Sequence, residues 1–185
     1  MKKLFSFILI ISLLFVFSGC SQEKEFIFKE KIKWGMTVKE VIETEKSISK
    51  LEPNYETEGY LSYYDMPVSD YEVEMTYYFA DGKLGVIQYQ FHHSPIPDFS
   101  NLLQLYKSKY EETKETDEKR LEDVINSYTT LPSIDNLHHY SCGKTDIWLF
   151  MLLGDGSYPI AVYASPDYPD ITSNNQNSKE NATGI

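Results

Sequence analysis

The sequence predicts an α+β protein that consists of two tandem units, each a helix followed by antiparallel strands. Three observations support this prediction: a helix start at Thr37, a hairpin pattern over residues 72–91, and a second helix pattern followed by further strand patterns. The predicted domain spans residues 26–167, and its two units cover about residues 26–93 and 98–165.

The first helix has an explicit start signal. Thr37 is followed three residues later by Glu40, the spacing of a capping box in which two backbone N–H groups are satisfied. Pro53 marks the latest point at which this helix can end. The expected apolar face of the helix consists of Val38, Val41, Ile42 and Ile48.

The hairpin can be assigned a register from its apolar residues. Odd-numbered apolar side chains occur on both strands, and they share one face only if odd positions pair with odd positions. A two-residue turn at Asp81–Gly82 would pair odd with even positions. The sequence therefore predicts a three-residue loop, Ala80–Asp81–Gly82, with a glycine bulge.

The second unit begins at Asp98, a candidate helix N-cap. Its helix stripe consists of Phe99, Leu102, Leu103, Tyr106 and Tyr110. Residues 111–136 fit either a solvated loop or a short helix that uses Leu121, Val124, Ile125 and Tyr128. The strand pattern at residues 145–153 is apolar at odd and even positions alike, which predicts a central strand covered on both sides.

The N-terminus has the layout of a secretory signal. Lys2 and Lys3 precede an apolar stretch over residues 4–17, which is shorter than the roughly 20 residues that a membrane-spanning helix needs. The stretch ends in Phe-Ser-Gly-Cys, which resembles the lipobox of bacterial lipoprotein precursors and makes Cys20 the expected lipid attachment site. An ordinary secretory signal with an incidental cysteine, or an uncleaved short anchor, are the alternatives.

The lipobox interpretation assigns a role to each terminal segment of the chain and predicts the location of the protein. Residues 1–19 would be the signal peptide, residues 20–25 the lipidated N-terminus and a short tether, and residues 168–185 a disordered polar tail. Two or more acyl chains on Cys20 bury enough CH₂ groups for a stable anchor. The expected location is the extracytoplasmic face of the cell membrane.

The acidity of the chain excludes one class of partner. The formal net charge is −11 at pH 7, and it becomes −13 when Lys2 and Lys3 leave with the signal. Such a surface does not neutralise phosphates, so we expect no nucleic-acid partner. Because anionic lipids repel the same surface, the lipid on Cys20 must hold the protein at the membrane.

Two segments of the chain resemble a known group of proteins. The segments IKWGMTVKEVIE and YYFADGKLGVIQYQF are similar to small bacterial lipoproteins with the SmpA/OmlA (BamE-like) fold, and to the related β-lactamase-inhibitor-protein-like fold. The likeness is carried by Gly35-Met36-Thr37, by Val41 and by the tyrosine-rich strands. A second helix-plus-strands unit over residues 99–164 favours the tandem, inhibitor-protein-like arrangement.

The resemblance implies a binding or scaffolding role at the cell envelope. BamE-like proteins support the assembly of outer-membrane barrels, and inhibitor-like proteins grip other proteins with a concave sheet. Beyond the structural motif, none of the family's functional residues maps onto this sequence, so the resemblance names no partner.

Two histidine pairs, His92-His93 and His138-His139, are candidate metal ligands. Neutral imidazoles bind zinc and copper, but neighbouring residues on a strand point to opposite faces, so each pair offers one ligand to a given face. His93 and His139 are the candidates, with Asp135 or Asp98 as a possible third ligand. The alternative is that all four histidines are ordinary polar residues at strand ends.

Motifs for catalysis are missing from the sequence. No Gly-x-Ser-x-Gly elbow, zinc-protease helix, phosphate-binding glycine loop or dinucleotide fingerprint occurs. Cys142 stands alone and fits a small buried apolar residue better than an activated thiolate. We therefore expect a protein that is not an enzyme and needs no cofactor.

These expectations converge on a lipid-anchored binding or scaffold protein whose contact surface is an exposed sheet face. The candidate patch is Glu72, Glu74, Thr76 and Tyr78, for which an ordinary solvated strand face is the simpler interpretation. One alternative is a metal-binding lipoprotein that uses the histidine pairs. Another is an inhibitor-like module that binds a secreted protein.

Overall fold

The computed structural model describes residues 31–68, 71–93, 96–127, 129, 133–154 and 156–168. The predicted signal peptide, Cys20 with its tether, and residues 169–185 of the predicted tail lie outside the described residues.

The described residues form three helices and eight strands, which confirms the predicted α+β class. The helices are α1 (Val38–Ile48), α2 (Phe99–Lys109) and α3 (Glu118–Asn126). The strands are β1 (Tyr55–Glu56), β2 (Tyr60–Val68), β3 (Tyr71–Ala80), β4 (Lys83–Gln90), β5 (Glu111–Glu112), β6 (Ile134–Cys142), β7 (Thr145–Leu152) and β8 (Tyr158–Ala164). Among these helices, none combines the length and the apolar character that a membrane crossing requires.

All eight strands belong to one antiparallel sheet in the order β1-β2-β3-β4-β8-β7-β6-β5. Each half of the chain contributes four consecutive strands, and the last strands of the two halves meet in the middle. There β4 pairs with β8, so that Val86 lies opposite Ala164 and Gln90 lies opposite Ile160. The two-residue strands β1 and β5 form the outer edges.

The sheet has an apolar cluster on each face. Helices α1 and α2 contribute Val41, Leu102 and Tyr106 to the cluster that contains the odd-numbered residues of β3 and β4. Helix α3 covers the opposite face of the second half, where its apolar residues pack on Trp148 and Val162. Alternate residues of β7 enter the two clusters, which confirms the prediction that this strand is covered on both sides.

Helix α1 begins at the predicted capping box. The hydroxyl of Thr37 accepts the N–H of Glu40 at 3.3 Å, and the N–H of Thr37 donates to the Glu40 carboxylate at 2.8 Å. The predicted apolar face is wrong at its end, because Ile48 is 39% exposed whereas Glu45 is fully buried. The hydroxyls of Tyr77 and Ser49 both donate to the Glu45 carboxylate, which compensates its loss of water.

In the hairpin, the side chains lie on the predicted faces of the sheet, but the loop differs from the prediction. Tyr77 lies opposite Ile87, so odd positions pair with odd positions as expected. However, Ala80 pairs with Lys83, which leaves a two-residue turn whose residues Asp81 and Gly82 both have positive φ. The register changes beyond the turn, between Tyr78 and Phe79, where β4 carries an extra residue.

That extra residue is Gly85, which packs against Tyr168, the last described residue. A Cβ atom at Gly85 would lie 2.1 Å from the ring of Tyr168. Tyr168 is 2% exposed and its hydroxyl lies 2.6 Å from that of Ser127. Tyr168, the first residue of the predicted tail, therefore packs against the sheet, because Gly85 has no Cβ atom to meet its ring.

We expect Gly85→Ala to destabilise the protein by about 2–3 kcal/mol, since the methyl group displaces a buried aromatic ring. Chemical denaturation of four chains measures this effect: wild type, each single variant and the double variant. In the Tyr168→Ala background the same glycine substitution should cost less than about 1 kcal/mol. Additive costs would contradict the contact between these two residues.

The segment between α2 and β6 settles an alternative that the sequence left open. It contains the short edge strand β5 and the helix α3, whose residues Leu121, Val124 and Ile125 are buried. The side chain of Asp117 caps this helix by accepting the N–H of Arg120 at 3.0 Å. The amphipathic segment therefore forms a helix, because its apolar residues pack on an apolar surface of the sheet.

Candidate functional site

The face of β1–β3 that points away from α1 carries an open cleft, which we call the tyrosine cleft. It has a volume of about 340 Å³. Its lining residues are Tyr55, Tyr60, Ser62, Tyr64, Glu74, Thr76, Tyr78, Gln90 and Thr129.

The floor of the cleft is polar and internally satisfied. Thr76 lies opposite Ser62 in the sheet, and their hydroxyl oxygens are 2.9 Å apart. Both residues are buried beneath the cleft. A buried hydroxyl needs a hydrogen-bond partner, and each of these two supplies one to the other. The floor is therefore pre-organised rather than dependent on a ligand.

Tyrosine rings form the walls of the cleft in two pairs. The rings of Tyr60 and Tyr78 have centroids 6.3 Å apart, and those of Tyr55 and Tyr64 are 5.9 Å apart in an edge-to-face arrangement. Tyr55 is 56% exposed, so this wall is available to a partner. Tyrosine supplies a large contact area at a small cost in conformational entropy, which suits a binding surface.

Among the described lining residues of the cleft, Glu74 alone carries a negative charge. It lies opposite Gln90, and its carboxylate is 3.8 Å from the Nε2 atom of His92. Burial first, and then the charge of Glu74, raise the pKa of Tyr64 and of Tyr78. Both phenols are therefore neutral at physiological pH.

His92 does not neutralise this carboxylate at neutral pH. Burial of the ring, and then the neighbouring His93, lower the pKa of His92, while Glu74 has the smaller opposing effect. The two histidine rings stack with centroids 4.2 Å apart, which explains their mutual influence. His92 is therefore a weak counter-ion for Glu74.

The structure brings together three of the four residues of the predicted patch. Glu74, Thr76 and Tyr78 all line the tyrosine cleft, whereas Glu72 is exposed and lies outside it, opposite Pro67. The sequence analysis did not identify the lining residues of β1, β2 and β4. The alternation Tyr60-Ser62-Tyr64 in β2 was the available signal, because every second residue of a strand shares a face.

The two metal-ligand candidates have separate surroundings. The Nδ1 atom of His93 is 3.7 Å from the carboxylate of Asp65. His139 is buried on the face beneath α3, where its ring stacks on Trp148 at 5.0 Å. Within the described residues, no group of three or more histidine, cysteine, aspartate or glutamate side chains has a spacing that could hold a metal ion.

The other residues considered for chemistry also have local structural contacts. The carboxylate of Asp98 caps α2 by accepting the N–H of Ser100 at 2.8 Å, and Asp135 accepts the N–H of its neighbour Asn136. His138 lies 3.5 Å from the Glu112 carboxylate. Cys142 is a free thiol that packs against the larger apolar cluster.

A second polar cluster, which we call the Asp146 cluster, joins α3 to the sheet. One carboxylate oxygen of Asp146 lies 3.1 Å from the Nε2 atom of His139, and the other accepts a hydrogen bond from the guanidinium of Arg120. The same guanidinium donates to the carbonyl of Ser165 at 3.0 Å. These contacts hold α3 against β6, β7 and the segment after β8.

No protein-family model, no curated protein sequence and no solved structure matches this chain.

Proposed function

We propose that this protein is a lipid-anchored binding or scaffold protein on the extracytoplasmic face of a bacterial cell membrane. In this proposal the tyrosine cleft is the surface that contacts an envelope or secreted protein. The observation that carries the binding role is the cleft itself, a tyrosine-walled surface whose described lining residues all lie outside the helices. The lipobox-like sequence ending at Cys20 carries the location.

The composition of the cleft supports binding to a protein rather than turnover of a substrate. Tyrosine is enriched at protein–protein interfaces, where its ring is buried and its hydroxyl stays near water. The polar floor of Ser62 and Thr76 is already satisfied, and the cleft presents one carboxylate. The described lining residues do not include a nucleophile paired with a base, which covalent catalysis requires.

The arrangement of the sheet also fits the proposed role. Helices α1 and α2 pack on one face, and α3 packs on the opposite face in a cluster that reaches Val86 of the first half. The tyrosine cleft lies on this second face, towards the β1 edge of the sheet. The resemblance to BamE-like and inhibitor-like proteins supports the same role, since both groups act by binding other proteins.

The anchor predicts a large change in location. Cys20→Ala should move the protein from the membrane fraction to the soluble extracytoplasmic fraction, and it should remove the label from cells grown with alkyne-palmitate. A protein without acyl chains loses about 0.8 kcal/mol of membrane affinity per CH₂ group. Cys142→Ala is the matched control and should leave both readouts unchanged. A palmitate label that persists in Cys20→Ala would contradict the lipoprotein assignment.

Photo-crosslinking in intact cells tests the cleft as the contact surface. A photoreactive phenylalanine at Tyr60 should give a discrete crosslinked product, because this residue lies on the cleft wall. The same group at Lys39, whose exposed side chain lies on α1, is the control. Equal products from the two positions, or none from Tyr60, would contradict the assignment of this surface.

A further inference from the structure

The carboxylate of Glu74 is incompletely neutralised inside the tyrosine cleft. Its side chain is 21% exposed, so most of its contact with water is lost. Its ion-pair partner is His92 at 3.8 Å, a ring whose lowered pKa keeps it largely uncharged at pH 7. No lysine or arginine lines the described cleft. A partly desolvated carboxylate that lacks a permanently charged partner favours the binding of a cation beside it.

The surrounding rings favour the same kind of ligand. The face of a tyrosine ring carries negative electrostatic potential and attracts cations within about 6 Å of its centroid. Tyr64 and Tyr78 both lie close enough to Glu74 for its charge to raise their pKa in addition to burial, so rings and carboxylate act on one region. Aromatic walls around a single carboxylate are a suitable environment for an ammonium or guanidinium group.

The size and position of the cleft indicate where that group comes from. Pockets for whole small molecules run from about 300 to 1,000 Å³, and 340 Å³ is at the lower end of that range. The cleft also opens beside β1, the edge of the sheet, so a polypeptide has access along it. The formal net charge of −11 further favours a basic partner.

We infer that the tyrosine cleft binds a lysine or arginine side chain of a partner protein, with Glu74 as its counter-ion and the tyrosine rings as its walls. This inference rests on the proposed function, because it names the chemistry of the partner at the same surface. The cationic head reaches Glu74 and Gln90, and the aliphatic stem of the side chain lies between the rings.

Peptide titration of the full chain tests this assignment. The probes are one short peptide with a central lysine, the same peptide with arginine, and the same peptide with norleucine, which keeps the stem and removes the charge. Chemical shifts of the tyrosine rings report binding. The lysine and arginine peptides should bind at least about tenfold more tightly than the norleucine peptide, and added salt should weaken their binding.

Three variants locate the effect. Glu74→Gln keeps the shape of the side chain, and it should abolish the preference for lysine over norleucine. Glu72→Gln is the matched control, since it removes the same charge from the same strand outside the cleft. Tyr64→Leu keeps apolar bulk without the aromatic face, and it should weaken the lysine peptide severalfold. Unchanged backbone spectra show that the variants remain folded.

Several results would overturn the inference. Equal binding of the norleucine peptide would show that the charge of the peptide side chain is not recognised. A preference for lysine that survives Glu74→Gln would show that Glu74 is not its counter-ion. Binding of ethanolamine phosphate without binding of the peptides would assign the site to a lipid headgroup instead. A crosslink from position 60 that persists in Glu74→Gln would support the proposed function but reject recognition of a basic side chain. The absence of this crosslink in the otherwise wild-type protein would reject the proposed function itself.

Discussion

Replacing Trp148 by alanine is expected to lower the free energy of unfolding by about 3–5 kcal/mol, the largest effect of a single truncation in this protein. Trp148 is fully buried, and its ring stacks on His139 with an angle of 10° between the planes. It belongs to the apolar cluster beneath α3. A helix as short as α3 is not stable without such packing, so its contacts with the sheet should weaken too.

Urea denaturation followed by circular dichroism measures this loss. Trp148→Phe should cost less than about 1.5 kcal/mol, because a ring is retained and the indole N–H has no hydrogen-bond partner among the described residues. Trp34→Ala provides a second reference, since Trp34 is only partly buried. If Trp148→Ala cost no more than Trp148→Phe, the packing of α3 on this ring would be contradicted.

Asp146→Asn is expected to destabilise the protein by about 2–3 kcal/mol, because it removes the charge that faces both Arg120 and His139. Both carboxylate contacts are partly shielded from water, since the side chains of Arg120 and Asp146 are each 24% exposed. Asp123→Asn in α3 is the matched control, because Asp123 is exposed. Its substitution should change the stability by less than about 0.5 kcal/mol.

The same carboxylate should make stability depend on pH. Burial opposes the ionisation of Asp146, but hydrogen bonds from His139 and Arg120 outweigh burial and lower its pKa below the ordinary value of 3.8. A lowered folded-state pKa stabilises the protein above the unfolded pKa, and this contribution is lost as the pH falls from that value through the folded-state pKa.

Stability curves between pH 7 and pH 2 check this expectation. Asp146→Asn should show a shallower loss of stability at acidic pH than the wild type or Asp123→Asn. Parallel acid limbs for Asp146→Asn and the wild type would show that Asp146 is not stabilised by its contacts with Arg120 and His139.

Features that depend on neighbouring residues could be predicted from the sequence. The capping box at Thr37 and Glu40 is a local exchange of hydrogen bonds, and it occurs as expected. The alternation along β3 and β4 correctly separated their two faces. The contact between Gly85 and the ring of Tyr168 was missed because the two residues are remote in sequence. Glu45 was missed because its burial depends on Tyr77.

The sequence by itself determined helices α1 and α2, the longer strands and which of their residues share a face, because those properties follow from side-chain periodicity and local hydrogen bonds. It also placed Glu74, Thr76 and Tyr78 on one surface. Only the tertiary structure decided that this surface is an open cleft. Helix α3 packs on Trp148 through long-range contacts, its cluster reaches Tyr78, and the cleft lies beside that ring, towards the edge of the sheet.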